Sequence, residues 1–209
     1  MLLKVEKRWV IAFIITAIVA MVSLFWPTKL PDASSGVFLE ENNLVGADIA
    51  WLLASSGLVL LMTPGLSFFY GGMVGKKNVI STMLQSFIAL GVISLVWVVV
   101  GFSLSFGDSL GFYIGKEHYG IIGNPFSFTF FNQVGVLPHA KMASTVPFIL
   151  FALFQMKFAV ITPAIITGSF AERVRFVSYL LFIVLFSLFI YAPLAHMVWS
   201  GDGFLVKFF

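Results

Sequence analysis

The sequence contains no cysteine, and charge is scarce: Asp, Glu, Lys and Arg make up 10% of its 209 residues. Without cysteine there are no disulfides, thiolate metal sites or cysteine nucleophiles. A soluble domain carries about a quarter charged residues, so the shortage of charge excludes that class. Histidine is sparse as well, with His118, His139 and His196 the full set. None has a carboxylate or a second histidine at i+3 or i+4, the spacing a helical metal site uses. Ser55, Ser56 and Ser67 lack a nearby histidine that could activate them, and such hydroxyls in apolar helices bond back to the backbone. The sequence offers no N-x-S/T sequon or lipidation motif. These absences point away from an enzyme and from a bound cofactor or metal.

What is present is apolar. Hydrophobic residues make up 60% of the chain and mean hydropathy is +1.04. Uncharged runs cover Trp9 to Trp26, Ile49 to Gly75, Asn78 to Gly107 and Phe176 to Gly201, each near or above the ~20 residues that cross a bilayer. Between Lys141 and Glu172 a fifth run is interrupted only by Lys157. Spanning segments must satisfy their backbone groups internally, and runs this long without alternation are not barrel strands. The expected fold is therefore all-α, a polytopic transmembrane helical bundle of five candidate spans. Net charge of +3 could suggest nucleic acid, but the basic residues sit at span ends, so the implied partner is the lipid bilayer.

If the first run leaves the cytoplasm, Lys4, Lys7, Arg8, Lys76, Lys77, Arg173 and Arg175 fall inside and Lys29, Lys116, Lys141 and Lys207 outside, the sense of the positive-inside rule. Residues 1–26 then read as a signal peptide or signal-anchor helix. Residues 27–47 form a solvated extracytoplasmic linker, with Asp48 as N-cap of the next helix. Pro64-Gly65 suggests a kink in that helix. Gly71 with Gly75, and Ala164 with Gly168, are small-xxx-small pairs that let helices approach closely. Asn124-Pro125 marks a turn in the outer loop from Asp108 to Lys141, and Phe126, Phe128, Phe130 and Phe131 should pack that loop onto the bundle. No internal repeat stands out.

On the fourth span, Phe151, Phe154 and Phe158 fall within about 60° of one another at ~100° per residue. Trp199 follows the antiparallel fifth span at the outer interface, where the outer part of that stripe is expected to face it. Two readings fit: an ordinary aromatic belt with phenylalanine packing, or the mouth of a path.

The stretches ADIAWLLASSGLVLLMTPGLSFFYGGMVGKKNVISTM, WVVVGFSLSFG, FQMKFAVITPAIITGSFAERVRF and YAPLAHMVWSGDG occur in order between Ala47 and Gly203. Together they resemble the ammonium transporter (Amt/MEP) family, to which the Rh proteins are distantly related. The resemblance implies a multi-pass protein of the plasma (inner) membrane and a homotrimer in which each subunit encloses a narrow pore built from two inverted five-helix halves. It implies ammonium or ammonia as substrate, with Trp199 and Phe154 as recruiting aromatics of an outer vestibule and Phe158 as one of two stacked gate phenylalanines. Phe151 has no family role and reads as packing.

In this reading residues 48–209 are a partial transporter domain, the first part of the inverted-repeat fold. The acidic residue of the family's fifth core helix, the paired pore histidines and the second gate phenylalanine are expected in a longer protein, and His196 does not replace them. An ammonium sensor with the same membrane fold and an appended signalling domain, or an inactive truncated product, are the alternatives. Lys157 departs from the family, which places an apolar or small residue there. Its amine either snorkels toward headgroups or adds a repelling charge near the vestibule.

Overall fold

A computed structural model describes residues 7–209. Helix α1 covers Lys7–Phe25, and four further helices are long and apolar enough to cross a membrane. These are α2 (Gly46–Met73), α3 (Val79–Phe106), α4 (Phe148–Phe170) and α5 (Phe176–Trp199). A short α6 follows at Phe204–Phe208. The four long helices coincide with the apolar runs after the first, the one interrupted by Lys157 included, because in hydrocarbon a helix is the one open-chain form that satisfies every backbone group. The apolar part of α1, Phe13–Phe25, is shorter, and the beginning of the chain lies outside the described residues.

Helix α4 packs against both α2 and α3, and α3 packs against α5. Helices α2 and α3 also pack on each other, and small residues allow close approaches between α2 and α3 and between α2 and α4. A Cβ on Gly71 would stand 2.9 Å from the Met83 side chain, and one on Gly168 would stand 2.5 Å from the Tyr70 ring. Pro64 and Pro163 both lie inside helices. The core is aromatic at one end of the bundle, where Trp97, Phe102, Phe106 and Phe148 are fully buried. Trp97 Nε1 donates to the Ala152 carbonyl at 3.1 Å, tying α3 to α4. Both α3 and α5 contain one π-helical turn, at Trp97–Gly101 and Ser187–Tyr191. The rings of Trp97 and Tyr191, one from each turn, meet at 6.2 Å, so the two irregular turns pack on each other.

The two ends of the bundle differ. At one, Lys76, Lys77, Arg173 and Arg175 occupy the short α2–α3 and α4–α5 connections, which Glu172 joins. Its carboxylate accepts from Gly75 N at 2.8 Å and Asn78 Nδ2 at 2.9 Å. At the other end the α3–α4 connection forms an antiparallel hairpin, β1 (Ser109–Ile114) and β2 (Glu117–Gly123), turning at Gly115 with φ +65°. This connection packs down in part: Phe128 is buried against Phe102 and Phe148 and Phe131 meets Phe102, whereas Phe126, expected to pack with them, is 70% exposed. The hairpin within it was not anticipated from sequence.

Two local expectations are corrected. Helix α2 begins at Gly46 with Val45 as N-cap, not at Asp48. Val45 N donates to Thr145 O at 2.9 Å, so a backbone bond to the α3–α4 connection sets the start, and Asp48 becomes a first-turn carboxylate beside the positive helix end. The 27–47 segment is also more than a solvated linker. Phe38 is buried against His139 and Phe148, and Leu39 N and Ala140 N donate backbone bonds to Pro138 O and Val37 O.

Candidate functional site

The hairpin end of the bundle encloses a cavity of about 1140 Å³. Helix α4 contributes Phe151 and Gln155 to its wall, α5 contributes Trp199, and the α5–α6 turn adds Ser200 and Asp202. Asp108 and Ser109 enter from the start of the hairpin segment, with His118, His139 and Lys141 on the loop side. The cavity thus mixes two carboxylates, one lysine and two histidines above an aromatic floor. His139 is buried in a cage of Phe38, Phe128 and Phe148, and its Nδ1 accepts from Lys141 N at 3.3 Å. Burial foremost, then the Lys141 charge, push its pKa below the ordinary value, which favours a neutral ring in the cavity wall.

The aromatic residues singled out by sequence divide. Phe154 and Phe158, one helical turn apart on α4, meet edge to face at 5.1 Å. Phe158 meets Trp199 in the same manner at 6.4 Å, so the three rings form a continuous column across the α4–α5 junction. Phe151 leaves that column, stacking on Phe148 at 6.1 Å and meeting Phe106 at 5.2 Å. Among the described residues it is Phe151 and Gln155, not Phe154 or Phe158, that line the large cavity from α4. Their i, i+4 spacing was a readable signal for a second face of that helix.

Trp199 occupies the junction. It is 48% exposed, lines the large cavity, and also lines a smaller apolar cavity of about 170 Å³ with Thr162, Tyr191 and Val198. An indole between a polar chamber and an apolar one can hold a cation against its face, a contact worth about 0.5–2 kcal/mol as water is removed. The rings of Phe158 and Phe154 beside it offer faces but no hydrogen-bonding group, so a bare ion there finds no replacement for the hydrogen bonds of its lost hydration shell.

Lys157 is half-buried on α4, and its Nζ donates to Leu153 O at 2.8 Å. The amine is therefore turned back along its own helix toward the hairpin end. It is not among the groups lining the large cavity. His196 is fully buried and bonded through both ring nitrogens, to Ser105 O and Ser109 Oγ. Among the described residues no three His, Asp or Glu side chains gather in a way that could hold a metal ion.

With this geometry in hand, comparison with known proteins is decisive. The sequence profile of the Ammonium Transporter Family matches residues 50–209. The chain belongs to the ammonium transporter family. It is 42% identical over 168 residues to an ammonium transporter of Mycobacterium tuberculosis (strain ATCC 25618 / H37Rv), covering 76% of this chain and 34% of that one. Among solved structures, Saccharomyces cerevisiae Mep2 superposes with a TM-score of 0.66 at 33% identity, over 79% of this chain and 34% of Mep2. A protein described as a sensor Amt protein superposes with a TM-score of 0.62 at 29% identity, over 76% of this chain and 36% of the other. The chain thus spans about a third of the length of the curated family members it matches. The family assignment agrees with the fold described above, a helical membrane bundle.

Proposed function

We propose that this chain forms the outer recruitment region of a transporter that moves ammonium or ammonia across the plasma (inner) membrane, working as a homotrimer. The observation that supports this reading best is the contact of Trp199, at the floor of the polar cavity, with Phe158 across the α4–α5 junction, flanked by Phe154 one turn nearer the hairpin end. Asp108 in the cavity wall attracts cations toward that floor, while Asp202 is paired with Lys207 at 3.3 Å. Trp199 then holds ammonium by its ring face, and Phe158 acts as the gate behind it.

The energetics set what passes. The cation–π contact offsets part of the dehydration of ammonium, but carrying a bare charge through the bilayer centre costs several times more. Ammonium differs from potassium in having a proton to give up, so an apolar passage behind Trp199 favours ammonia leaving its proton behind. Selectivity then lies in deprotonation more than in the rings themselves.

The test is ammonium-evoked current in proteoliposomes carrying the complete gene product. Trp199→Ala is expected to weaken the response at low ammonium while preserving it near saturation. An unchanged concentration dependence would count against the site. The likeness to a sensor Amt protein supports one other reading, in which the same site detects ammonium. Saturable ammonium binding without any flux in the same liposomes would favour it.

A further inference from the structure

Trp199 lies on the last turn of α5, and a buried histidine three residues earlier fixes that turn. His196 Nδ1 stands 3.0 Å from the Ser105 carbonyl, and Nε2 stands 2.8 Å from Ser109 Oγ. A carbonyl oxygen only accepts, so Nδ1 carries the proton, and Nε2 accepts from the serine hydroxyl. The two partners belong to different elements, Ser105 to the end of α3 and Ser109 to the start of β1. One ring therefore ties α5 to both.

The surroundings are shaped for this contact. A Cβ at Gly120 would meet Ser109 Oγ at 2.7 Å and Asp202 O at 2.8 Å, and one at Gly203 would meet His196 O at 2.5 Å. Ser200 N closes the helix on His196 O at 3.1 Å. Trp199 itself is held far less. It is half exposed, and among the described residues its one ring neighbour is Phe158. The order of the indole therefore depends on the turn that carries it more than on its own packing.

We propose that His196, acting through Ser109, is a positioning residue that sets the pose of Trp199 at the cavity floor. The inference rests on reading Trp199 as the recruiting aromatic. A cation–π contact requires a ring face presented at the right angle, and an indole that must be ordered on binding loses affinity.

The test uses the complete gene product in lipid nanodiscs with every tryptophan other than buried Trp97 and half-exposed Trp199 replaced by Phe. Fluorescence anisotropy reports the order of the indole, and titration with ammonium chloride gives the half-saturating concentration. Ser109→Ala removes the donor to Nε2. His196→Asn keeps an amide donor for Ser105 O but no longer reaches Ser109. Each variant is expected to lower anisotropy and raise the half-saturating concentration by about two- to tenfold, the range one hydrogen bond supplies. The double variant should add nothing further, since both changes cut the same bond.

Unchanged anisotropy and half-saturation in both single variants would overturn the proposal. So would a double variant whose effect is the product of the two singles. If ammonium leaves Trp199 emission unchanged in the parent chain, the reading of the site fails. The anisotropy comparison still decides whether His196 positions the indole.

Discussion

Replacing Phe158 with alanine removes the ring that joins Phe154 to Trp199. Its two edge-to-face pairings, at 5.1 Å and 6.4 Å, are each worth about 0.5–1.5 kcal/mol beyond simple burial. Phe158 is half-buried and sits beside Ala159 and Val160 in the α4 core. The helix itself should persist, since alanine is the strongest helix former. Without Phe158 the indole of Trp199 has no ring packed against it among the described residues, and a shift of about 1.4 kcal/mol in cation affinity is tenfold in half-saturating concentration. The expected result in proteoliposomes of the complete gene product is a raised half-saturating ammonium concentration, of order tenfold, together with altered maximal current or a leak to other cations. Circular dichroism of the purified variant should match the wild type. Wild-type concentration dependence with wild-type maximal current would refute both the gate role and the coupling to Trp199.

Other consequences follow from the same geometry. Lys157→Met should change ammonium flux little, because the amine bonds Leu153 O on its own helix and does not line the cavity; a large rise in uptake would place the charge on the path instead. Gly168→Val should destabilise the bundle by about 1–3 kcal/mol through overpacking, because even a Cβ would stand 2.5 Å from Tyr70, and thermal unfolding in detergent would read this. Hydrogen bonds from Asn78 and then Gly75 hold the Glu172 carboxyl below its ordinary value of 4.5. A lowered pKa contributes stability above the ordinary value that is lost as pH falls through the lowered one. Acidification below about pH 4.5 should therefore loosen the α2–α3 and α4–α5 connections, and Glu172→Gln should remove that pH dependence from thermal unfolding.

Much of this architecture was legible because hydrocarbon imposes a strict rule. An uncharged run such as Asn78 to Gly107 can hardly be anything but a spanning helix, and α3 occupies it almost residue for residue. The Phe154, Phe158 and Trp199 grouping was legible from helical spacing and family motifs. What escaped was set by tertiary contacts. The start of α2 depends on a Val45 to Thr145 bond between residues a hundred positions apart. Phe38 is buried by His139 and Phe148, which no local window reveals. The hairpin carries a Gly115-Lys116 turn between aromatic and β-branched residues, a weak signal in a loop expected to be irregular. The π-turns in α3 and α5 leave no compositional mark, since each is an extra residue accommodated where Trp97 meets Tyr191. Phe151 shows the limit of stripe arguments. It shares a helical face with Phe154 within about 60°, yet it lines the large cavity and packs against Phe106.

The central claim is that Trp199 recruits ammonium at the cavity floor. Its most direct test is the ammonium concentration dependence of current in proteoliposomes of the complete gene product, wild type against Trp199→Ala. The account predicts a half-saturating concentration raised by about 2- to 30-fold, the equivalent of the ~0.5–2 kcal/mol of a cation–π contact, with most of the maximal current retained. Superimposable curves for the two proteins would contradict it.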